Sequence, residues 1–217
     1  MSKATTSAPL LGIFGGTFDP VHNGHIKPLE AVQQQLELNR ILALPCHIPP
    51  HKEAPSSSPK HRQAMLELEV KQHPWLTIDN REMQRNKPSY TLHTLQELRR
   101  EYPEQHLCFI IGMDSMQAFD TWYQWQDIMQ LCHLVVMQRG GYQPEFNATV
   151  KGLLDCAQVS QLDSLRKNKS GHVVFINTPQ LDVSSSNIRQ RIKNSESVDK
   201  LVSNEVIHYI EQHGLYL

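Results

Sequence analysis

The sequence has few of the features that mark exported or membrane-spanning proteins. It contains 4 cysteines, none in a C-x-x-C pair, and Cys108 and Cys132 fall in or beside strand-like runs, which favours buried thiols over disulfides. No run approaches the ~20 apolar residues of a membrane span. The small, polar residues 1–9 predict a flexible tail and not a signal peptide. We therefore expect a cytoplasmic protein without a membrane partner.

An excess of charge of one sign is also absent. The 21 Lys and Arg residues nearly balance the 22 Asp and Glu residues, so the formal net charge is −1. Proteins that bind long nucleic acids need a basic surface, so this balance excludes nucleic acid as an expected partner and favours a small ligand. The 12 histidines are scattered without the paired spacing of a zinc site, and we expect no metal held by side chains alone.

Strand-like and helix-like segments alternate along the chain, without an internal repeat. Strands are predicted at residues 10–14, 40–44, 76–79, 106–111, 133–138 and 173–176. Helices are predicted at residues 25–38, 60–72, 90–102, 148–156, 185–194 and 204–212, with further helical stretches within 116–131 and a Pro- and Ser-rich loop at 46–60. Repeated βα units predict one α/β domain over residues 10–217: a Rossmann-like, doubly wound parallel sheet with helices on both faces and a C-terminal helical segment.

The most informative stretch directly follows the first predicted strand. Gly15 and Gly16 remove two side chains where backbone would approach a ligand, and Asp19 with the proline after it turns the chain. His22 and His25 then stand at the start of a helix, where free N–H groups and the helix dipole favour an anion. A Gly-Gly pair alone more often marks a common turn, and a histidine near a helix start alone is more often a solvated cap. Together they predict a nucleotide-phosphate site, with imidazoles that could stabilise a phosphoryl transition state.

A second candidate site lies before the helix predicted at residues 185–194. The stretch V-S-S-S-N-I-R, residues 183–189, places hydroxyl groups where they can cap free N–H groups, and Arg189 adds a permanent charge in the first turn. A phosphate site would have this composition. An ordinary serine cap beside a surface arginine would have it too, and the stretch alone does not separate the two.

Both stretches resemble motifs of the nucleotidylyltransferase superfamily. G-G-T-F-D-P-x-H-x-G-H resembles its first signature, and V-S-S-S-N-I-R resembles its I-S-S-T-x-I-R motif, with Val for Ile and Ser for Thr. The H-x-G-H part is also related to a motif of class I aminoacyl-tRNA synthetases, but the chain is too short for a synthetase and has no K-M-S-K-S motif. The resemblance implies an ATP site formed by Gly15, Gly16, Thr17, Phe18, Ser185, Ser186, Ile188 and Arg189.

Further segments match, in order, the pattern of bacterial nicotinate-nucleotide adenylyltransferases. They lie at residues 49–52, 88–91, 110–115 and 121–123, so that the resemblance covers residues 10–217. It implies that a nicotinate ring stacks on Trp122, that the backbone amides of Thr91 and Tyr123 receive its carboxylate, and that Asp114 contacts ribose. It also implies three basic residues near the mononucleotide phosphate, namely His51, Lys52 and Arg139. Arg139 departs from the family pattern, because Gly140 follows it where the family has proline.

The residue types alone leave these roles open. Trp122 would more often be a core residue, Lys52 a solvated side chain, and Asp114 a cap of the following helix. Only the ordered match to the family favours the ligand-binding interpretation.

The resemblance implies transfer of the adenylyl group of ATP to nicotinate mononucleotide, in the synthesis of NAD. In that reaction His22 and His25 would stabilise the α-phosphoryl transition state, Arg189 would hold the leaving phosphates, and Mg²⁺ would bridge phosphate oxygens. Pantetheine-phosphate adenylyltransferase shares part of the first motif, but segments 88–91 and 121–123 argue against it. A nucleotide-sensing module that has lost its chemistry is a further alternative, against which the intact histidines and Arg189 count. Whether the chain forms a homo-oligomer stays open.

Overall fold

One parallel sheet organises the computed structural model, which describes residues 9–47, 54–85, 88–138, 141, 144–179 and 181–217. Its strand order is β3-β2-β1-β4-β5-β6. The strands are β1 (Leu10–Gly16), β2 (Ile41–Pro45), β3 (Leu76–Ile78), β4 (His106–Gly112), β5 (His133–Gln138) and β6 (Val173–Asn177). Each predicted strand is confirmed, with its ends displaced by two residues or fewer. Most of the tail predicted at residues 1–9 lies outside the described residues.

The helices also follow the sequence pattern closely. They are α1 (Asn23–Gln35), α2 (Pro59–Gln72), α3 (Thr91–Glu101), α4 (Met113–Gln117), α5 (Trp125–Leu131), α6 (Ala148–Ala157), α7 (Ser185–Lys193) and α8 (Asn204–Gln212), with short 3₁₀ segments at Phe119–Thr121 and Leu162–Arg166. The helix predicted at 25–38 ends early, because Glu37 adopts a φ of 51°. Leu36 and Leu38 are nevertheless buried, which explains why the apolar pattern runs on past the helix end.

Each strand is apolar on both sides, because helices cover both faces of the sheet. Phe14 and Ile110 lie in one hydrophobic cluster with residues from α1, α2, α7 and α8. Ile13 and Phe109 lie in a second cluster with residues from α3, α4, α5 and α6. Since neighbouring residues of a strand point to opposite faces, the continuous apolar runs fill both cores. The predicted doubly wound arrangement is confirmed.

The strand order reverses between β1 and β4. These two strands pair in parallel, with Leu10 opposite His106 and Phe14 opposite Ile110. From β1 the chain continues to β2 on one side, and from β4 it continues to β5 on the other. In sheets of this kind a crevice opens at the reversal, beyond the carboxyl ends of the strands. The glycine turn that follows β1 therefore lies at this crevice.

Buried histidines lie at the amino-terminal ends of β4 and β5, on the side of the sheet away from the crevice. His106 donates from Nδ1 to the carbonyl of Leu165 at 2.7 Å. His133 Nε2 lies 2.8 Å from the carbonyl of Asn168, and its Nδ1 accepts the backbone N–H of His172 at 3.1 Å. This pair of bonds requires a neutral ring that carries its proton on Nε2. Burial lowers the pKa of His133 to about 4.

The low pKa of His133 predicts that acid destabilises the fold. Between the ordinary histidine pKa of about 6.5 and the folded value of about 4, the unfolded chain binds a proton that the folded protein excludes. Stability therefore falls as the pH falls through this window. His133→Gln retains a donor toward Asn168 but does not titrate. From pH 7 to pH 4.5 we expect it to lose on the order of 1–2 kcal/mol less stability than the unmutated protein, as measured by urea denaturation.

The exposed His213 serves as the control for this experiment. His213→Gln should show the same loss of stability in acid as the unmutated protein. An equal acid sensitivity in all three proteins would contradict the role given to His133.

Candidate active site

A cleft of about 560 Å³ opens at the carboxyl ends of β1 and β4. It brings together residues that are far apart in the sequence, from both predicted phosphate motifs and from the segment after β4. The lining includes these sequence-predicted residues: Gly15, Gly16, Thr17, Phe18, His25, Trp122, Ser185, Ser186 and Arg189. The two phosphate motifs therefore share one cleft.

His22 and His25 are stacked at the start of α1. His22 is the residue before the helix, with an extended backbone, and its N–H donates to Nδ1 of His25 at 3.3 Å. The ring centroids are 3.7 Å apart with planes inclined by 30°. Because Nδ1 of His25 accepts this bond, the proton of its neutral ring lies on Nε2. His25 also lines the cleft.

His22 is the more buried of the two histidines. Its side chain is only 5% exposed, and burial lowers its pKa to about 4. At neutral pH the ring of the ligand-free protein is therefore uncharged and acts as a dipole rather than as a cation.

Glycines make room for this arrangement at two positions. At Gly24 a Cβ atom would lie 2.6 Å from Cγ1 of Val183 and 3.0 Å from Cε1 of His22, so a side chain there would push against both motifs. At Gly15 a Cβ would meet only the tip of Phe109, at 4.0 Å, so its open side faces the cleft. A ligand can therefore approach the backbone at Gly15.

Phe18 packs against the ring of His25. Its side chain is 2% exposed, and its ring centroid lies 5.2 Å from that of His25 in an edge-to-face contact. Phe18 adopts a φ of 52°, a conformation that is uncommon for a residue with a side chain. The predicted ATP-site residue thus acts mainly by packing, although it borders the cleft.

The serines of the second motif have separate roles. Ser184, and not the two serines after it, caps α7, because its Oγ accepts the N–H of Asn187 at 3.1 Å. The hydroxyl of Ser185 donates to the carbonyl of Pro20 at 3.0 Å, which joins the two motifs directly. The hydroxyl of Ser186 accepts from Nη2 of Arg189 at 3.2 Å. The serine cap is therefore present at Ser184, while Ser185 and Ser186 bond to other parts of the predicted site.

Arg189 is held by the Asp19 turn. Its Nη1 donates to the main-chain carbonyl of Asp19 at 2.8 Å, and the same nitrogen lies 3.8 Å from the Asp19 carboxylate. Asp19 itself is only 3% exposed. Sequence reasoning treated this residue as a turn former and missed its role in placing the arginine.

Arg62 is a second residue that sequence reasoning missed. It is fully buried, and its Nη1 donates to the carbonyls of Thr17 and Cys46, each at 2.7 Å. These bonds tie the end of β1 to the end of β2 beneath the glycine turn. Burial lowers the pKa of Arg62, while the nearby Asp19 opposes the shift. Its position on a largely polar helix carried no signal of burial.

Two other predicted residues, Ile188 and Asp114, are not among the described residues that line the cleft. Ile188 is fully buried in the hydrophobic cluster below α7, so its side chain packs inside the protein. Asp114 is exposed near the start of α4. His51, Lys52 and Arg139 lie outside the described residues.

The residues predicted to bind nicotinate lie on two neighbouring segments. Trp122 lines the cleft and contacts Phe109 at a ring distance of 6.1 Å. Thr91 begins α3, and the preceding Tyr90 contacts Tyr123, with ring centroids 5.0 Å apart. Neither Thr91 nor Tyr123 belongs to the described lining of the cleft, but the aromatic contact holds their two segments together.

Comparison with known proteins agrees with this geometry. The model of the cytidylyltransferase-like family matches residues 13–191. A protein of Pseudoalteromonas atlantica named "Probable nicotinate-nucleotide adenylyltransferase" is 45% identical over 208 residues, covering 96% of this chain and 95% of that protein. One of the same name from Psychromonas ingrahamii is 41% identical over 206 residues, covering 95% and 96%. The chain belongs to the nicotinate-nucleotide adenylyltransferase family.

The protein is thus a nucleotidyltransferase, as its motifs predicted. Its fold is similar to that of Plasmodium falciparum nicotinic acid mononucleotide adenylyltransferase complexed with NaAD, with a TM-score of 0.74 at 19% identity over 96% of this chain and 97% of that one. The same enzyme complexed with APC gives a TM-score of 0.72 at 18% identity, with the same coverage. The Rossmann-like fold is confirmed.

Two further expectations bear on the protein's surroundings. None of the four cysteines, all of which lie in the described residues, forms a disulfide bond, and Cys108 and Cys132 are fully buried as predicted. Within the described part of the chain, no helix is both long and apolar enough to cross a membrane.

Gly24→Ala should damage both the fold and the activity of this adenylyltransferase. The new methyl group overpacks the contact between α1 and Val183, which we expect to cost about 1–3 kcal/mol of stability, and it pushes on the ring of His22. In Gly24→Ala/Val183→Ala the clash with the side chain at 183 is relieved, whereas the clash with the ring of His22 is not. We expect the double variant to regain stability but not turnover, as measured by thermal unfolding and by steady-state kinetics.

Gly152 provides the matched control. It lies in α6, and a Cβ there would meet no atom within 4 Å. Gly152→Ala should leave turnover unchanged and stabilise the helix by about 0.5–1 kcal/mol. Normal turnover in Gly24→Ala would contradict the spatial argument.

Proposed function

We propose that the protein transfers the adenylyl group of ATP to nicotinate mononucleotide, forming nicotinate adenine dinucleotide and pyrophosphate in the synthesis of NAD. The observation that carries this proposal is the meeting of His25, Ser186 and Arg189 in one cleft at the reversal of the sheet. The names of the near full-length relatives supply the substrate class. The NaAD in the related Plasmodium falciparum enzyme is the expected product.

The reaction needs positioning more than covalent chemistry. A phosphate oxygen of the mononucleotide attacks the α-phosphorus of ATP in line, and the bond from that phosphorus to the bridging oxygen of pyrophosphate breaks. The protein has to hold two anions against each other and to neutralise the charge that develops. No nucleophilic side chain takes part.

The cleft offers three kinds of anion stabilisation. The guanidinium of Arg189 supplies a permanent positive charge for the β,γ-phosphates. Helices α1 and α7 both begin at the cleft, so their free N–H groups and dipoles favour phosphate. His25 donates from Nε2 to the α-phosphoryl group, and the uncharged ring of His22 stacks behind it. A preorganised donor set of this kind acts on the transition state without rearrangement.

Mg²⁺ is proposed as the accompanying ion, carried mainly by the phosphates of ATP. Among the described residues no group of three or more His, Cys, Asp or Glu side chains is arranged to hold a metal. The carboxylate of Asp19, which borders the cleft, is already engaged by neighbouring N–H and O–H donors. The donor set of the cleft therefore fits an ion that arrives on the nucleotide, where it would screen phosphate charge.

The mononucleotide is proposed to bind toward the segment after β4. Trp122 provides a ring for stacking, and the backbone amides of Thr91 and Tyr123 are proposed as donors to the carboxylate. The roles of Asp114 at ribose and of His51, Lys52 and Arg139 near the phosphate remain proposals from the family resemblance. We further propose the cytoplasm as the compartment, consistent with four cysteines that form no disulfide bond in the described residues.

The catalytic assignment predicts a loss of turnover without a loss of fold. His25→Ala should lower kcat by roughly 10²-fold or more, the effect expected when a preorganised transition-state donor is removed. His22→Ala should lower kcat similarly, because it removes the ring on which His25 stacks. The measurement is pyrophosphate release at saturating ATP and nicotinate mononucleotide, with thermal melting as the check on folding. His213→Ala, outside the cleft, is the control and should be unaffected. Near-normal turnover in a folded His22→Ala/His25→Ala protein would refute the assignment.

The proposed donors at Thr91 and Tyr123 predict the choice of substrate. They can satisfy the lone pairs of a nicotinate carboxylate, whereas a carboxamide places its own N–H donors among them. Such a mismatch costs about 1–3 kcal/mol for each buried group, and charge assistance adds to the difference. We expect nicotinate mononucleotide to exceed nicotinamide mononucleotide by at least roughly 10²-fold in kcat/KM.

The substrate experiment is a coupled assay with ATP and each mononucleotide in turn. Trp122→Ala should weaken both mononucleotides alike, because stacking acts on the ring and not on its substituent. Comparable kcat/KM values for the two substrates in the unmutated protein would overturn the donor argument. Absence of product with either substrate would overturn the proposed function.

A further inference from the structure

The C-terminal residues return to the base of the ATP cleft. After α8 ends at Gln212, the chain turns, and Tyr216 adopts a φ of 66°. The hydroxyl of Tyr216 donates to Oδ1 of Asp19 at 2.8 Å and lies 3.1 Å from Oγ of Ser57. The penultimate residue of the chain therefore contacts the first phosphate motif. No motif in the sequence points to this contact.

Neutral donors surround the Asp19 carboxylate. Oδ2 accepts the N–H of Ser56 at 2.6 Å, and Oδ1 accepts the N–H of Ser57 at 3.2 Å together with the hydroxyl of Ser57 and that of Tyr216. The same bonds fix the segment at residues 54–57, of which Ala54, Pro55 and Ser56 line the cleft. The carboxylate thus faces the loop and the C-terminus.

The contacts of Arg189 with Asp19 are consistent with this arrangement of donors around the carboxylate. Short, paired contacts with a carboxylate are the usual preference of a guanidinium. Here Nη1 of Arg189 donates to the carbonyl of Asp19 at 2.8 Å, and the carboxylate oxygen is 3.8 Å away. Ser57 and Tyr216 occupy Oδ1 of Asp19, and the ion pair between Arg189 and the carboxylate is a long one to Oδ2, with the arginine at the cleft wall.

We propose that Tyr216 is a positioning residue for ATP: its hydroxyl holds the Asp19 carboxylate away from Arg189, so that the guanidinium remains available to the triphosphate. The inference rests on the proposed function, in which Arg189 binds the β,γ-phosphates. Tyr216 touches neither substrate. It acts through Asp19 and through the wall at residues 54–57.

The hydroxyl of Tyr216 is suited to this role. Burial raises the pKa of Tyr216, so its proton is retained throughout the physiological range. Without this donor, Oδ1 of Asp19 loses one of its partners. Arg189, whose Nη1 already lies 3.8 Å from Oδ2 of Asp19, is then a cation that the carboxylate can approach, and a shorter ion pair would draw it from the phosphates. The ring itself fills buried space, which phenylalanine would preserve.

Tyr216→Phe tests the inference by removing only the hydroxyl. We expect the dissociation constant of ATP, measured by direct titration, and the KM for ATP to rise roughly 3- to 10-fold. The KM for nicotinate mononucleotide and kcat should change less than about twofold, because Asp19 and Arg189 serve the triphosphate. Tyr209→Phe is the matched control: this hydroxyl contacts His61 at 2.9 Å and has no bond to Asp19. Its ATP affinity should be unchanged.

Ser57→Ala provides a second variant should Tyr216→Phe fold poorly. It removes a different hydroxyl donor from the same carboxylate, so it should also weaken ATP selectively. The two effects should be non-additive in the double variant, because both act through Asp19.

A merely structural role for Tyr216 would lower the melting temperature and leave ATP affinity unchanged, and that outcome would overturn the inference. Equal weakening of both substrates would overturn it too. The ATP titration does not depend on product formation. Failure of the unmutated protein to make the dinucleotide would therefore count against the proposed function and not against Tyr216.

Discussion

The contact between the main chain of Asp19 and the guanidinium of Arg189 is the interaction on which the active site depends. It joins a turn after β1 to the first turn of α7, which are separated by most of the chain. A parallel bond from Ser185 to the carbonyl of Pro20 lies beside it. Both bonds use backbone carbonyls as acceptors, and the carboxylate of Asp19 lies farther from the guanidinium, at 3.8 Å. The arginine is therefore oriented mainly by the main chain of the turn after β1.

Burial controls the electrostatics around this contact. The Asp19 carboxylate faces the residues at 56–57 and Tyr216, the ring of His22 is uncharged, and Arg62 lies buried beneath the glycine turn. Fixed hydrogen bonds therefore hold the polar groups at the base of the cleft in place. The same burial makes the arrangement sensitive to added volume, as the crowding around Gly24 indicates.

The strands and most helices were predictable, because apolar runs on a two-sided parallel sheet have a strong local pattern. The departures have local causes. Leu36 and Leu38 extend the apolar pattern of α1 beyond its end, since they pack on the core from a turn. The 3₁₀ segment at Leu162–Arg166 was not predicted, because so short an element has no periodicity to recognise.

The sequence by itself determined the family, the fold class and the two phosphate motifs, because each depends on residues close together in the chain. Only the tertiary structure decided which serine caps α7, that the carbonyl of Asp19 binds Arg189, and that Arg62 and Tyr216 contact the turn after β1. These contacts join residues far apart in the chain, and hydrogen bonds between such residues leave no periodic or compositional trace. Their donors and acceptors meet only when the sheet and its two helical layers have packed.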